Sequence, residues 1–319
     1  MTHRCAVLDD YQGAALTLAD WSRVGEEVEI VAFPQHFGDV EEMVAAVQDF
    51  DIVVVMRERT TFDARVLSRL PQLRLLVTSG MRNAAIDMVA ATAQGVVVCG
   101  TASFSEPPVE LTWALIMALA RKLTTENAAF RAGGPWQSTL GTDLFGSRLG
   151  LLGLGKLGSR VAHIGQAFGM DVTAWSENLT QERAAEVGVA LSPSKAELLA
   201  TSDFVSIHLM LSDRTRGLLG PQDLALMRLT AYLINTSRAA IVDQDALVDV
   251  LRAGRIAGVG LDVYEEEPLP DGHVLRSLPN VLATPHLGYV TRRNYQTYFR
   301  EAVEDIEAFL AGAPVRRLA

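Results

Sequence analysis

The chain of 319 residues is poor in cysteine, in aromatic side chains and in positive charge. Cys5 and Cys99 are its only thiols, and neither has the spacing of a C-x-x-C redox motif or of a Cys/His metal site. That excludes a disulfide scaffold and a zinc module, and no metal is expected. Two isolated thiols suit a reducing cytosol, where they act as small buried fillers. Lys and Arg total 28 against 38 Asp and Glu, a net charge of −10 with the acidic residues dispersed. No basic footprint for nucleic acid or anionic lipid is present, so neither is expected as a partner. The longest apolar stretch, near residues 111–120, is too short to cross a bilayer. The opening Met-Thr-His-Arg-Cys carries no apolar signal segment, and a cytoplasmic protein is expected. Repeats and low-complexity tracts are missing as well. What remains is 49% hydrophobic and 21% charged, sufficient material for two ordinary globular domains.

The most informative stretch is Leu149-Gly-Leu-Leu-Gly-Leu-Gly-Lys-Leu-Gly158. A short apolar run turns on Gly153 and Gly155 and enters a helical pattern with Leu157, Val161, Ile164 and Phe168 on one face. Gly169 stops that helix, and residues 171–175 read as a second strand. This is a βαβ unit with G-x-G-x-x-G at its first turn, the fingerprint of a dinucleotide site. Gly153 permits the tight turn, Gly155 admits a pyrophosphate to the backbone, and Gly158 lets helix and strand pack closely. Backbone N–H groups of Lys156 and Leu157 at the helix start attract the anion. The spacing G-x-x-x-x-G-K-[ST] of a mononucleotide loop is absent, so Lys156 does not make one.

The first hundred residues alternate strand-like segments (5–8, 28–32, 52–55, 75–78, 96–99) with helical ones (14–21, 40–47, 64–70, 86–93). Short apolar strands separated by helices predict a parallel sheet covered on both faces. That domain has no glycine fingerprint, so its loops are candidates for holding substrate. Pro107-Pro108 starts a helix over 109–122 so apolar that burial between domains or in a subunit interface is expected, with a homodimer favoured and an intrachain core the alternative. Residues 131–146 read as irregular loop. After the glycine motif the alternation resumes, with strands at 204–208, 231–235, 256–263 and 281–284 and a helix over 244–252. Ser194-x-x-Glu197 resembles a capping box. A last helix, 291–311, comes too late to join the second sheet and is expected to return to the first domain. The fold class is therefore α/β, with two doubly wound parallel-sheet domains: residues 1–101 plus 292–319, and 102–291.

In open parallel sheets ligands bind beyond the carboxyl ends of the strands. Polar clusters stand at such ends: His208, Thr236-Ser-Arg238, Asp262 before Tyr264-Glu-Glu-Glu-Pro268, and His286 before Leu287-Gly288. A guanidinium, a carboxylate and an imidazole in one crevice suit a carbonyl acid. Arginine grips a carboxylate with a planar fork, and histidine exchanges a proton near neutral pH. A neighbouring carboxylate would hold the imidazole, but spacing alone does not choose among Glu265, Glu266 and Glu267.

These motifs resemble those of the D-isomer-specific 2-hydroxyacid dehydrogenases, the group of the phosphoglycerate and glycerate dehydrogenases. The resemblance spans essentially the whole chain. It rests on the glycine motif, on Asn235-Thr-Ser-Arg-Ala-Ala-Ile-Val-Asp243, on Gly260-Leu-Asp-Val-Tyr-Glu-Glu-Glu-Pro-Leu-Pro270, and on Thr284-Pro-His-Leu-Gly288. It implies a flavodoxin-like substrate domain and a Rossmann cofactor domain. It further implies that Arg238 contacts substrate, that His286 is the acid/base, and that Glu267, the glutamate before the proline, pairs with His286. Asp262 matches a residue near the nicotinamide, and Gly288, His208, Thr236 and Ser237 are cofactor contacts by the same comparison. In the first domain, Arg57 and the loop Ser79-Gly80-Met81 match substrate-binding positions, although Met81-Arg-Asn-Ala-Ala85 replaces the family's usual glycine-rich continuation.

The implied function is hydride exchange between a nicotinamide cofactor and a small 2-keto or D-2-hydroxy acid. An acidic residue usually ends the second strand of an NAD site. Here Ser176 takes that place and Glu177 follows, with no basic residue before Arg183. Repulsion of a 2′-phosphate by Glu177 favours NAD, with NADP the alternative. Two other functions share the fold: an NAD-sensing interaction protein resembling the C-terminal-binding-protein co-repressors, and a formate dehydrogenase-like enzyme. The family's formate enzymes carry glutamine where Glu267 stands.

Overall fold

A computed structural model describes residues 2–319 and divides them into two compact units. One unit is formed by residues up to Phe104 together with Val290–Ala319, the other by Ser105–Tyr289.

The first unit holds five strands, β1 (His3–Val7), β2 (Val28–Ala32), β3 (Ile52–Val55), β4 (Leu75–Thr78) and β5 (Val97–Gly100). All pair in parallel in the order β2-β1-β3-β4-β5, the flavodoxin-like arrangement. β3 is Ile-Val-Val-Val with every side chain buried, as expected of a strand covered on both faces. Three of the intervening helices start at aspartate caps. Asp39 accepts from the Glu41 N–H ahead of Val40–Val47, Asp63 from Val66 ahead of Ala64–Leu67, and Asp87 from Ala90 ahead of Met88–Ala93. Three helices are shorter than the periodicity suggests, the segment 86–93 by its first two residues, where Asp87 is the cap. The segment 14–21 is helical only over Ala15–Leu18, because Ala19 is extended and Asp20 caps a separate 3₁₀ turn, Trp21–Arg23. The segment 64–70 stops at Leu67, just ahead of Pro71, which disfavours helical backbone before it. The helix Arg292–Leu310 packs into this unit, burying Tyr295, Tyr298, Phe299, Ala302, Val303 and Ile306 along one stripe.

The second unit holds β6 (Arg148–Leu152), β7 (Asp171–Trp175), β8 (Ala190–Leu191), β9 (Phe204–Ile207), β10 (Tyr232–Asn235), β11 (Gly258–Leu261) and β12 (Val281–Ala283). The order is β12-β11-β10-β9-β6-β7-β8, all parallel. Strand order reverses at β6, which lies between β7 and β9. That is the switch point where such sheets open a crevice at their carboxyl edge. The helix Glu106–Ala120 belongs to the core of this unit: Val109, Trp113, Leu115, Ile116 and Leu119 pack with Leu149, Leu151 and Val161. Its apolar character is thus accounted for inside the chain. The left-handed backbone of Lys122 then breaks the run, and a second helix, Leu123–Arg131, follows with no buried residue.

Candidate active site

Local backbone geometry builds the site from β6 outward. Gly153 has a positive φ of 101°, and a Cβ there would press on the His208 carbonyl at 2.7 Å. At Gly158 a Cβ would strike the Gly153 carbonyl, so helix and turn meet backbone to backbone. Gly155 is different: open space lies where its Cβ would stand. The result is bare backbone at the start of the helix Lys156–Ala167, twelve residues long. These features fit a dinucleotide, whose pyrophosphate needs unscreened N–H groups at a helix N-terminus and no side chain above them. Lys156 is exposed there, whereas Leu157 turns into the core.

The Gly153 N–H donates to the Trp175 carbonyl (2.9 Å), which fixes the end of β7 beside the turn. Ser176 and the exposed Glu177 follow. Arg183 donates to Ser159 Oγ and Glu186 Oε2, both at 3.0 Å, and so is neutralised by a neighbour of its own helix. At the end of β9, His208 Nε2 lies 2.9 Å from Ser206 Oγ. Burial lowers its pKa to about 4, which keeps this imidazole neutral at physiological pH.

Beyond β10 the buried Asn235 folds the chain back on itself. Its Oδ1 accepts the Ser237 N–H (3.0 Å) and its Nδ2 donates to the Arg238 carbonyl (3.0 Å). Thr236 and Thr112 share a hydroxyl hydrogen bond of 2.8 Å, and Ser237 Oγ donates to the Leu209 carbonyl. Arg238, with Nη1 on the Ser237 carbonyl at 2.8 Å, is held half-buried.

Beyond β11 and β12 two carboxylates shape one loop. Asp262, 1% exposed, accepts the N–H groups of Leu287 (2.7 Å) and Gly288 (2.8 Å) and the Thr284 hydroxyl (2.6 Å). Its pKa is raised by burial, against the pull of those donors. The loop so pinned puts His286 at a φ of 51°, a strained backbone for a non-glycine residue. Glu267 Oε1 accepts the Tyr264 N–H at 2.9 Å, and Oε2 meets His286 Nδ1 at 2.6 Å. Burial pushes the Glu267 carboxyl up. The hydrogen bond and charge of His286, the Tyr264 N–H and the charge of Arg238 outweigh it and hold the group below the ordinary carboxylate range. Arg238, Glu267 and His286 therefore act on one another, and Nε2 is the imidazole nitrogen left for chemistry. Tyr289 packs edge-on to the ring at 5.5 Å.

In the first unit, Ser79 Oγ accepts the Arg57 N–H (2.8 Å), and the Arg57 guanidinium covers Gly80 so closely that a Cβ there would collide. Arg57 itself has a left-handed φ of 56°. Met81 is exposed. Residues that the sequence reading did not single out complete the arrangement. Asn83 Nδ2 donates to the Arg57 carbonyl (2.6 Å) and to Thr78 Oγ1 (2.9 Å), and Thr101 Oγ1 accepts the Gly80 N–H (3.0 Å). The only sequence signal for Asn83 is its place within the departure Met81-Arg-Asn-Ala-Ala85. Among the described residues no group of three His, Cys, Asp or Glu side chains is placed to hold a metal, and no helix is long and apolar enough to cross a membrane.

Comparison with known proteins agrees with this geometry. Residues 113–288 match the family model of the D-isomer specific 2-hydroxyacid dehydrogenase, NAD binding domain. A glyoxylate reductase of Aeropyrum pernix is 41% identical over 259 residues, 78% of this chain and 77% of that protein. A D-3-phosphoglycerate dehydrogenase of Methanocaldococcus jannaschii is 33% identical over 85% of this chain, which spans only 52% of that longer protein. A phosphoglycerate oxidoreductase of Vibrio cholerae has a solved structure that superposes with a TM-score of 0.92 at 36% identity, covering 98% of this chain and 100% of that one. The chain belongs to the D-isomer-specific 2-hydroxyacid dehydrogenases, NAD-dependent oxidoreductases that act on a hydroxyl-bearing donor.

Proposed function

We propose that this enzyme reduces small 2-keto acids to D-2-hydroxy acids, with His286, Glu267 and Arg238 as its catalytic residues. The observation that carries the reading is the hydrogen-bonded pair of His286 Nδ1 and Glu267 Oε2 at 2.6 Å, under the influence of Arg238, at the carboxyl edge of the sheet bearing the glycine turn. Gly153, Gly155 and Gly158, with the N–H groups of Lys156 and Leu157, would hold the pyrophosphate. Ser176 and Glu177 would meet the adenosine ribose, and His208, Thr236, Ser237, Asp262 and Gly288 would line the nicotinamide end. When bound, NADH supplies the hydride for the carbonyl carbon and NAD accepts it in the reverse direction. Arg238 orients the acid and polarises it. His286 gives the Nε2 proton to the carbonyl oxygen, while the Glu267 carboxylate stabilises the charged imidazole and aims it. Asp262 keeps His286 in place through the backbone of residues 287 and 288.

On this reading the first unit is the substrate unit, with Arg57 and the loop Ser79-Gly80-Met81 contacting the acid, and the second is the NAD unit. Glu177 and the engagement of Arg183 favour NAD over NADP. Met117, Leu123, Phe130, Trp136, Leu140 and Phe145 present an apolar surface on the second unit that a second copy of the chain would cover, making a homodimer. A cytoplasmic location fits two reduced, buried thiols. The test is a steady-state screen with NADH and NADPH over glyoxylate, hydroxypyruvate, pyruvate and longer keto acids. Turnover of at least one short acid, faster with NADH, is expected. A chain that binds NADH but reduces none of them overturns the proposal.

A further inference from the structure

The edge of the first unit's sheet is closed by the segment Arg316–Ala319. β5 is the outer strand of the order β2-β1-β3-β4-β5, yet its backbone groups are not left to solvent. Gly100 N–H donates to the Arg316 carbonyl (3.0 Å), Leu318 N–H to the Val98 carbonyl (2.7 Å), and Val98 N–H to the Ala319 carbonyl (3.2 Å). Cys99 and Arg317 face each other as an antiparallel pair. The segment is locked from its other side by Arg316. Its Nε donates to Asp305 Oδ1 (3.0 Å), Nη1 to Glu304 Oε2 (3.0 Å) and Nη2 to the Glu301 carbonyl (2.8 Å), all on the helix Arg292–Leu310.

What this lock supports is the loop after β4. A Cβ placed on Gly100 would meet three things at once: the Gly80 carbonyl at 2.7 Å, Leu318 Cδ1 at 3.1 Å and Met81 Cα at 3.2 Å. Gly80 also donates its N–H to Thr101, the residue after β5. The backbone of Gly80 and Met81 therefore lies directly on the end of β5, and the Leu318 side chain lies against that same end while packing into the core of the unit. The geometry points to Arg316–Ala319 as a positioning element: Leu318, fixed by the Arg316 lock, holds the loop Ser79-Gly80-Met81 in the shape that receives the substrate carboxylate. The inference rests on the proposed role of that loop. Arg316 and Leu318 touch no reacting atom and act only through β5 and the loop.

The experiment compares Leu318→Ala with the unaltered chain, both in the presence of NADH, by amide hydrogen exchange and by steady-state kinetics on the best keto acid. Exchange at residues 79–82 should quicken roughly tenfold while the remainder of the unit keeps its protection. KM for the acid should rise roughly fivefold with kcat and NADH affinity unchanged, because loop misplacement weakens acid binding and spares the second unit. Leu318→Met, which conserves volume, should restore both. Unchanged exchange at 79–82 overturns the inference, and so does faster exchange by the same factor throughout the unit. If the unaltered chain reduces no keto acid, the functional reading fails, while the exchange data still decide whether Leu318 braces the loop.

Discussion

At the scale of the residue, the proposed chemistry depends on two carboxylates with different tasks. Asp262 accepts three hydrogen bonds from the loop of residues 284–288 and keeps the His286 backbone in a conformation that costs on the order of 1–3 kcal/mol. Glu267 holds the ring. Its pKa is depressed, so the carboxylate stays charged well below neutral pH and can stabilise a protonated imidazole throughout the working range. Glu267→Gln keeps a hydrogen-bonding side chain and removes the charge. We expect kcat for keto-acid reduction to fall on the order of 10–100-fold and the alkaline limb of the pH–rate profile to move to lower pH. An unshifted limb would show that the charge of Glu267 has no part in proton transfer. Spacing left Glu265, Glu266 and Glu267 equivalent, and the family resemblance alone pointed to Glu267. The fold explains the choice: Glu265 and Glu266 face solvent, and only Glu267 turns back beneath the Tyr264 N–H toward the ring. The anchoring task of Asp262 was not legible, since its partners lie 22 to 26 residues further on and meet it only through the pairing of β11 with β12.

At the scale of the element, apolar runs and caps located β2, β3, β4, β7 and the helices Val40–Val47 and Gln244–Arg252 at their observed bounds. β3 and β4 are nearly unbroken apolar runs, β2 and β7 are β-branched and apolar stretches interrupted by one or two polar residues, and each of the two helices has an aspartate cap ahead of a strong stripe. The helix Leu123–Arg131 has neither: it buries nothing, and its start depends on a single left-handed lysine. β8, two residues long, is beneath any periodicity. The helix Arg292–Leu310 carries a feature that only its packing reveals. Asp305 is fully buried, its Oδ2 has no hydrogen-bond partner, and burial, countered by Arg316, raises its pKa from 3.8 to about 7. The folded state thus holds a proton that the unfolded chain releases near pH 4. That stabilisation is complete at low pH and is lost as pH rises through about 7. Each unit of pKa corresponds to about 1.4 kcal/mol, so the swing amounts to a few kcal/mol. We expect Tm to fall as pH rises from about 5 to 7 and then to level off, and Asp305→Asn to flatten that dependence. A variant that titrates as steeply as the unaltered chain would assign the dependence to other groups.

At the scale of the whole molecule, a net charge of −10 conflicts with an anionic cofactor and an anionic substrate only if charge is averaged over the surface. Beyond about 8 Å at physiological ionic strength that average is screened. Inside the second unit the local field decides, and it is made by the bare backbone at Gly155, the helix start at Lys156 and the guanidinium of Arg238. The two sheet orders, 2-1-3-4-5 and a seven-stranded sheet reversing at β6, were legible as a class because parallel strands covered on both sides read as continuous apolar runs. The neutral His208 and the contact of Arg183 with Ser159 were not, because both depend on neighbours brought together by the folded unit. In the proposed reaction His286 exchanges the proton at the reacting oxygen, in a site whose cofactor cradle is built independently of it. The most direct measurement is the pair of NADH affinity and keto-acid turnover for His286→Ala. NADH binding within about twofold of the unaltered chain, with turnover lowered by about 10²- to 10⁴-fold, is the expected result. Turnover that survives the substitution would contradict it.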